Sequence, residues 1–296
     1  MTITKAKPTL WQAAIERELP NVYRWAGLVR DVSGEFNVGY GEKLSLTKIT
    51  SGVTVRDYTP NTDIADPERM TDAAEVLTVD QYKYFNIAVD DIDAAQSRPA
   101  LLSYFAQQAA SSMGAVVDTF LRGVFEAGVP SGQQEAVEVA KYGTPDSSAV
   151  AVADLTALVM RFNDVVEALE ARGWPLSRAF CVINTRIASL LRLANIRTDA
   201  NVGGSGSRAD SSFVDGGITN LLGVRTIVDP NMNTATAAAG DVVANFGLIE
   251  GVAWARQIGS VETYRPERQF GDAVKGLMAY GAEKVHGDRQ FQIVYS

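Results

Sequence analysis

Four places in the chain hold residue types that could do chemistry. Asp91-Ile92-Asp93 has the D-x-D spacing with which sugar-nucleotide enzymes hold a divalent metal. The same carboxylates also stand just ahead of a helical pattern, where they favour the helix dipole with no metal present. Gly203-Gly204-Ser205-Gly206-Ser207 suggests a phosphate cradle. It matches neither G-x-G-x-x-G nor G-x-x-x-x-G-K-[ST], and it lacks the closing glycine of G-x-S-x-G, so it reads as a loop. Cys181 is the one cysteine, so no intramolecular disulfide framework is possible. Set in Arg-Ala-Phe-Cys-Val-Ile, it reads as a small buried hydrophobe rather than a nucleophile. His286 is the one histidine: a Ser-His-Asp triad would have to use it, and a multi-histidine metal site is impossible. The expectation is therefore no catalytic residue, no cofactor and no metal.

The totals narrow the class further. A chain of 296 residues can form one large or two ordinary domains, and 46% hydrophobic with 21% charged residues is a globular composition. Net charge is −8, with no run of Lys or Arg. That argues against sequence-specific nucleic-acid binding through a basic face, but not against a protein that merely encloses nucleic acid. The first residues lack the apolar core of a secretory signal, and no apolar run is long enough to span a bilayer. A cytosolic product with no membrane partner is expected.

The elements follow from period. Over residues 97–128, Leu101, Phe105, Ala109, Met113, Val116, Phe120 and Val124 recur in steps of three or four, with Leu102, Val117 and Leu121 widening the stripe. Ser97 and Pro99 suit its start and Gly128 its end. A helix of about 28 residues is a rod of about 42 Å. It is the spine about which the rest is arranged. Before it, residues 1–32 carry Leu10, Trp11, Ile15, Leu19, Val22, Trp25 and Leu28 in two short amphipathic pieces broken by Pro8 and Pro20. Such an arm must lie on this chain's body or on a neighbour's, with Trp11 and Trp25 as anchors.

Residues 33–89 alternate with period two around an exposed loop at 59–73, which predicts a long two-stranded β-arm. A lone ribbon is marginal in water and gains stability by lying across another subunit. After the spine, 129–150 is irregular and marks a boundary. A helix is expected at 152–172, a buried strand at 180–183 and helical spacing at 185–193. A loop follows at 198–217, then strands at 221–228, 242–248, 253–258 and 261–264. Alternating stretches at 273–282 and 291–295 close the pattern.

This order of parts resembles the major capsid protein of tailed bacteriophages, the Hong-Kong-97-type fold. GEKLSL from Gly41 with VTVRDYT from Val53 resembles the ascending limb of that family's extended loop. LTVDQYKYFNIAVDDIDAAQ from Leu77 resembles its descending limb running into the spine helix. GITNLLGVRTIV from Gly217 resembles a segment of its axial domain, and ETYRPERQFGDAVKGL from Glu262 its return to the peripheral domain.

The resemblance implies an α+β fold with an N-terminal arm (1–32) and an extended β-arm (33–85). A peripheral domain (86–150 and 258–296) would carry the spine helix at 98–127, and an axial domain would span 151–257. It implies a non-enzymatic shell protein, grouped as hexamers and pentamers in an icosahedral virion around double-stranded DNA, after assembly in the host cytoplasm. Arg56, Asp57, Tyr58, Asp63, Glu68 and Arg69 would lie over an adjacent subunit. Trp11 and Trp25 would reach under another, and the loop at Gly203 and Gly204 would face the capsomer centre.

Partners implied are a portal, a scaffolding protein and a decoration protein. No lysine lies between Lys48 and Lys83, so the loop tip cannot supply a welding lysine. No long charged helical segment precedes the arm, so a separate scaffold is expected, or a processed chain. The rivals are an encapsulin nanocompartment sharing the fold, a D-x-D glycosyltransferase using Asp91 and Asp93, and a tail-tube protein. The split arm, the missing nucleotide-binding βαβ half and the long helix argue against them in turn.

Overall fold

The computed structural model describes residues 24–35, 43–49, 54–58, 60, 63, 66–68, 72–90, 101–137, 152–191, 220–232, 242–267 and 271–295. The apolar run at Phe180 forms β6 (Ala179–Asn184), and all six of its residues are buried. Alternation sends Cys181 and Ile183 to one core and Phe180 and Val182 to another. A strand apolar on both faces belongs in the interior of a sheet. Here it is a six-stranded mixed sheet of order β5-β12-β9-β6-β8-β7. Its other strands are β5 (Gln134–Val137), β7 (Asn220–Leu221), β8 (Val224–Asp229), β9 (Val242–Leu248) and β12 (Gln290–Tyr295).

Two helices cover the two faces. On one, α2 (Val152–Ala171) buries Leu158, Phe162, Val165 and Leu169 with Cys181, Ile183 and Phe246. It ends in a left-handed Gly173 (φ 72°), whose N–H bonds to the Glu170 carbonyl while Trp174 N–H reaches Leu169. That pairing is the helix stop Gly173-Trp174-Pro175 encodes. On the other face, the C-terminal half of α1 (Leu101–Gly128) brings Val117, Leu121 and Phe125 onto Phe180 and Val182.

The same face of α1 also meets a four-stranded sheet of order β1-β10-β11-β4: β1 (Arg30–Asp31), β10 (Val252–Tyr264), β11 (Gly271–Lys284) and β4 (Gln81–Asp90). Trp254, Val274, Met278 and Tyr280 point to α1. Ala253 and Ala255, one residue out of phase, point the other way and carry the ribbon formed by β2 (Lys43–Ile49) and β3 (Asp72–Thr78). Leu46, Leu77 and Val79 of that limb are buried there with Val32 and Val285. The paired part of the ribbon is thus housed on its own chain, and the expectation that it needs another subunit to be stable does not hold for that part.

Several elements depart from the sequence reading. Among the described side chains of α1, the fully buried stripe is Ala110, Val117, Leu121 and Phe125, one step round from the one read, and Val116 is 43% exposed. Two sheets meet the helix at once, so the stripe follows their seam rather than the densest apolar row. The strand read at 221–228 is a hairpin, because Leu222 (φ 52°) and Gly223 (φ 84°) are both left-handed, the geometry of a tight two-residue turn. The stretch read as irregular after α1 holds β5, which pairs in parallel with β12. Strands read at 253–258 and 261–264 are one strand with a register shift between Ile258 and Val261. The six-stranded sheet joins β5 and β12 to β6, β8 and β9, so its hydrogen bonds cross the divisions drawn at 150/151 and 257/258. Ser97 and Pro99, read as the helix start, the arm before residue 24 and the loop at 198–217 lie outside the described residues.

Gly281 on β11 sits where the chain passes from ribbon to sheet. A Cβ there would stand 2.0 Å from the Thr78 carbonyl oxygen, which is backbone and cannot rotate away. Gly281→Ala is expected to lower unfolding free energy by about 1–3 kcal/mol or more in chemical denaturation. Gly132→Ala, with nothing within 4 Å, is the control and should change it by no more than about 0.5 kcal/mol.

Candidate functional site

The residues that could do chemistry are not brought together. Asp91, Asp93 and the glycines at 203–206 lie outside the described residues. Cys181 is wholly buried, and burial pushes its thiol well above the ordinary range, away from nucleophilic use. His286 Nδ1 lies 3.9 Å from Asp288 Oδ1, with Arg289 and Lys48 nearby. Burial, then those two cations, hold the imidazole below its ordinary value. Among the described residues no group of three His, Cys, Asp or Glu could hold a metal.

Among the described residues, the most deeply worked polar site is where the N-terminal segment joins the body. Asp118, on the buried side of α1 and 3% exposed, accepts the backbone N–H of Arg24 (2.8 Å) and of Trp25 (3.1 Å). Trp25 Nε1–H donates to Asp229 Oδ2 at 2.9 Å, and Asp229 also takes the Asn231 N–H. The Arg24 guanidinium donates to the Val228 carbonyl rather than to a carboxylate. Arg122 pairs with Glu126 (3.8 Å), which Asn245 Nδ2 also reaches at 3.1 Å. Asp118 is therefore balanced by backbone dipoles and not by a cation. Desolvation pushes its carboxyl up to about 6, against the backbone bonds that pull it down, with Asp229 adding repulsion.

This corrects the reading of Trp25 as an anchor on a neighbouring subunit. Its ring is 0% exposed, 5.4 Å from Phe125 and 6.5 Å from Phe180. The indole N–H needs a buried acceptor, and Asp229 supplies one at home. The signal for Asp118 was present in the sequence: one acid inside the stripe that runs through Val117, Leu121 and Phe125. Trp11 lies outside the described residues.

The ribbon tip is the opposite environment. Arg56 Nη2 bonds Glu68 Oε1 at 2.9 Å, and Thr54 N–H donates to Glu68 Oε2 at 3.1 Å, so the two limbs are tied by one carboxylate. Asp57, Tyr58 and Asp63 are exposed, Tyr58 by 69% and its neighbour Val55 by 92%. Arg69, Gly203 and Gly204 lie outside the described residues. Beside the ribbon, the outer face of the four-stranded sheet shows Tyr82, Tyr84 and Leu277, with Leu277 opposite Tyr84 in the register. Among the described residues these large side chains are only partly covered, with Tyr84 79% exposed.

The raised carboxyl has a signed consequence. A native value of about 6 against an ordinary 3.8 means the ionised form is disfavoured in the fold. Below pH 6 the native state takes up a proton that the unfolded chain does not hold until pH 4. Asp118 therefore adds stability as pH falls through that window, by up to about 3 kcal/mol. His286, held low, acts in the reverse sense. Asp118→Asn should remove the Asp118 part: the difference in unfolding free energy between wild type and variant, followed from pH 7 to 4, should shift toward the wild type. A flat difference would refute the burial of an ionised group.

No family model and no curated protein matches the sequence. Solved structures do. A Mycobacterium phage Che8 chain is 22% identical with a TM-score of 0.61, over 92% of this chain and 90% of that one. A chain of the Cyanophage P-SCSP1u capsid is 15% identical with a TM-score of 0.65, covering 91% and 86%. A chain of the bacteriophage PhiM1 mature capsid gives 15% and 0.65, covering 93% and 87%. Identity is low while coverage is nearly complete on both sides, so what is shared is the path of the chain from ribbon to last strand: this α+β chain has the fold of solved tailed-phage capsid chains.

Proposed function

We propose that this chain is the major capsid protein of a tailed phage, a non-enzymatic subunit that assembles as hexamers and pentamers into an icosahedral shell around double-stranded DNA. The observation that carries this is the likeness to phage capsid chains over 91–93% of its length. In this reading α1 is the spine helix of a peripheral domain, and α2 with the strands around β6 forms the axial domain. The stretch before residue 33 is the arm, and the ribbon is the extended loop.

The physical case is one of unspent surface. The paired ribbon is seated on its own chain, but the tip has Val55 and Tyr58 in water, and among its described residues Glu68, held by Arg56 and the Thr54 N–H, ties the limbs. Tyr82, Tyr84 and Leu277 add an apolar band on the four-stranded sheet. Groups of this kind gain stability when a neighbour covers them, and an obligate contact buries roughly 2,000 Å² or more. Charges at the tip set register and reject wrong neighbours more than they add affinity. A net charge of −8 suits a container, since a strongly basic wall would hold DNA through its phosphates. A scaffolding protein, a portal and a decoration protein are the further partners in this reading, with assembly in the host cytoplasm.

Electron microscopy of the purified protein with light scattering on the same sample should give closed shells or capsomer rings. A monodisperse monomer that stays so with its scaffold co-expressed, or saturable binding of manganese and a nucleotide-sugar, would overturn the assignment. Replacing residues 54–68 by Asn-Gly should leave the thermal midpoint within about 4 °C, because the described residues of the tip are all exposed, and should abolish particles. Shells of normal size from that variant would remove the ribbon tip from the contact.

A further inference from the structure

A cleft of about 380 Å³ opens between the end of α2, the β9–β10 turn and the short helical turn Gly287–Arg289. Its rim is fixed by backbone. Gly251 N–H closes the turn onto Leu248, the N–H groups of Val285 and His286 both reach the Gly251 carbonyl, and Gly173 and Trp174 cap α2. Three guanidiniums meet there. Arg178 and Arg289 share the single carboxylate of Glu250, Arg178 at 2.5 Å. Arg172 lies over the Phe291 ring at 4.6 Å and has no carboxylate partner among the described residues. The other acid of the cleft, Asp288, is approached by Lys48 at 3.9 Å. Four cations therefore stand against two carboxylates, in a chain whose net charge is −8. A rigid rim of forked donors with one fork unfilled is a receptor for carboxylate.

The chain carries matching chemistry that it leaves unused. Between Val53 and Met70 the sequence has four acids (Asp57, Asp63, Asp66, Glu68) and two arginines. Glu68 is taken by Arg56. Asp57, Asp63 and Asp66 are exposed and have no ion pair among the described residues. Since these aspartates are exposed in their own chain, they do not fill its cleft. We propose that the Arg172–Arg178–Arg289 cleft receives the acidic ribbon tip of a second copy of this chain, with Arg172 taking an aspartate of that tip. The proposal rests on the assembly reading above and names the contact that would set the register between neighbouring subunits.

Cysteine pairs test it cleanly, because the native Cys181 is wholly buried. Arg172→Cys is combined in one chain with Asp57→Cys, Asp63→Cys or Asp66→Cys, and assembled protein is oxidised and run on a non-reducing denaturing gel. At least one pair should give a ladder of covalent multimers that neither single variant gives. Shells with no ladder from any pair, or a pair that closes within one chain without gain in mass, would overturn the contact while leaving the shell assignment intact. Wild-type protein that never assembles overturns both. In parallel, Arg172→Glu should raise the concentration needed for assembly by about tenfold, and Asp57→Arg, Asp63→Arg or Asp66→Arg in the same chain should restore it. Saturable binding of pyrophosphate that Arg172→Glu abolishes, with no ladder, would instead assign the cleft to phosphate.

Discussion

The fold depends on one constraint: β6 is apolar on both faces and must be covered twice. Cys181 and Ile183 require α2, and Phe180 and Val182 require α1 with Trp25. Everything else follows from how α1 meets that demand. With one side committed to the six-stranded sheet, its flank is left to the four-stranded sheet, and that sheet must turn its other face outward. The small residues there, Ala253 and Ala255, are what let the ribbon sit down on it. A larger side chain at either position would lift the ribbon and tilt its tip.

How much of this is legible in the sequence depends on how many partners an element has. α2 faces one sheet, and its stripe (Leu158, Phe162, Val165, Leu169) reads directly from the spacing. α1 faces two sheets and a chain segment, and its buried row is displaced by one position, with an acid inside it. β5 is four residues of Gln-Glu-Ala-Val, a sequence with little strand character of its own; it is a strand because β12 offers it an edge. The hairpin at Leu222-Gly223 is hidden because leucine gives no sign of a left-handed turn. The order of the large parts, by contrast, is fixed by period and turn signals, and it was enough to suggest the family resemblance that the solved structures support.

The candidate site divides in the same way. The tip residues Arg56, Asp57, Tyr58, Asp63 and Glu68 are polar between two strand patterns, so their exposure is legible. Trp25 was misread because an aromatic on a short amphipathic piece looks the same whether its partner is its own chain or another. What decides is the buried acceptor for its indole N–H, Asp229, which lies 204 positions away. The arginine cleft is likewise assembled from three separate segments, and only the fold brings Arg172, Arg178 and Arg289 to one place.

The sheet pairings also impose an order in time. β12 lies between β5 and β9, with Gln292 opposite Gln134, and β1 is paired to β10 through Arg30 and Ala253. Contacts this distant along the chain form late and slowly. While the chain is being synthesised, α1 and α2 exist with an unfilled slot in the sheet between β5 and β9, until residue 295 is available to fill it. A chain lacking β12 would keep that slot open and leave the turn at Gly287–Arg289 without the strand that follows it. The six-stranded sheet is therefore continuous only once β12 has been made.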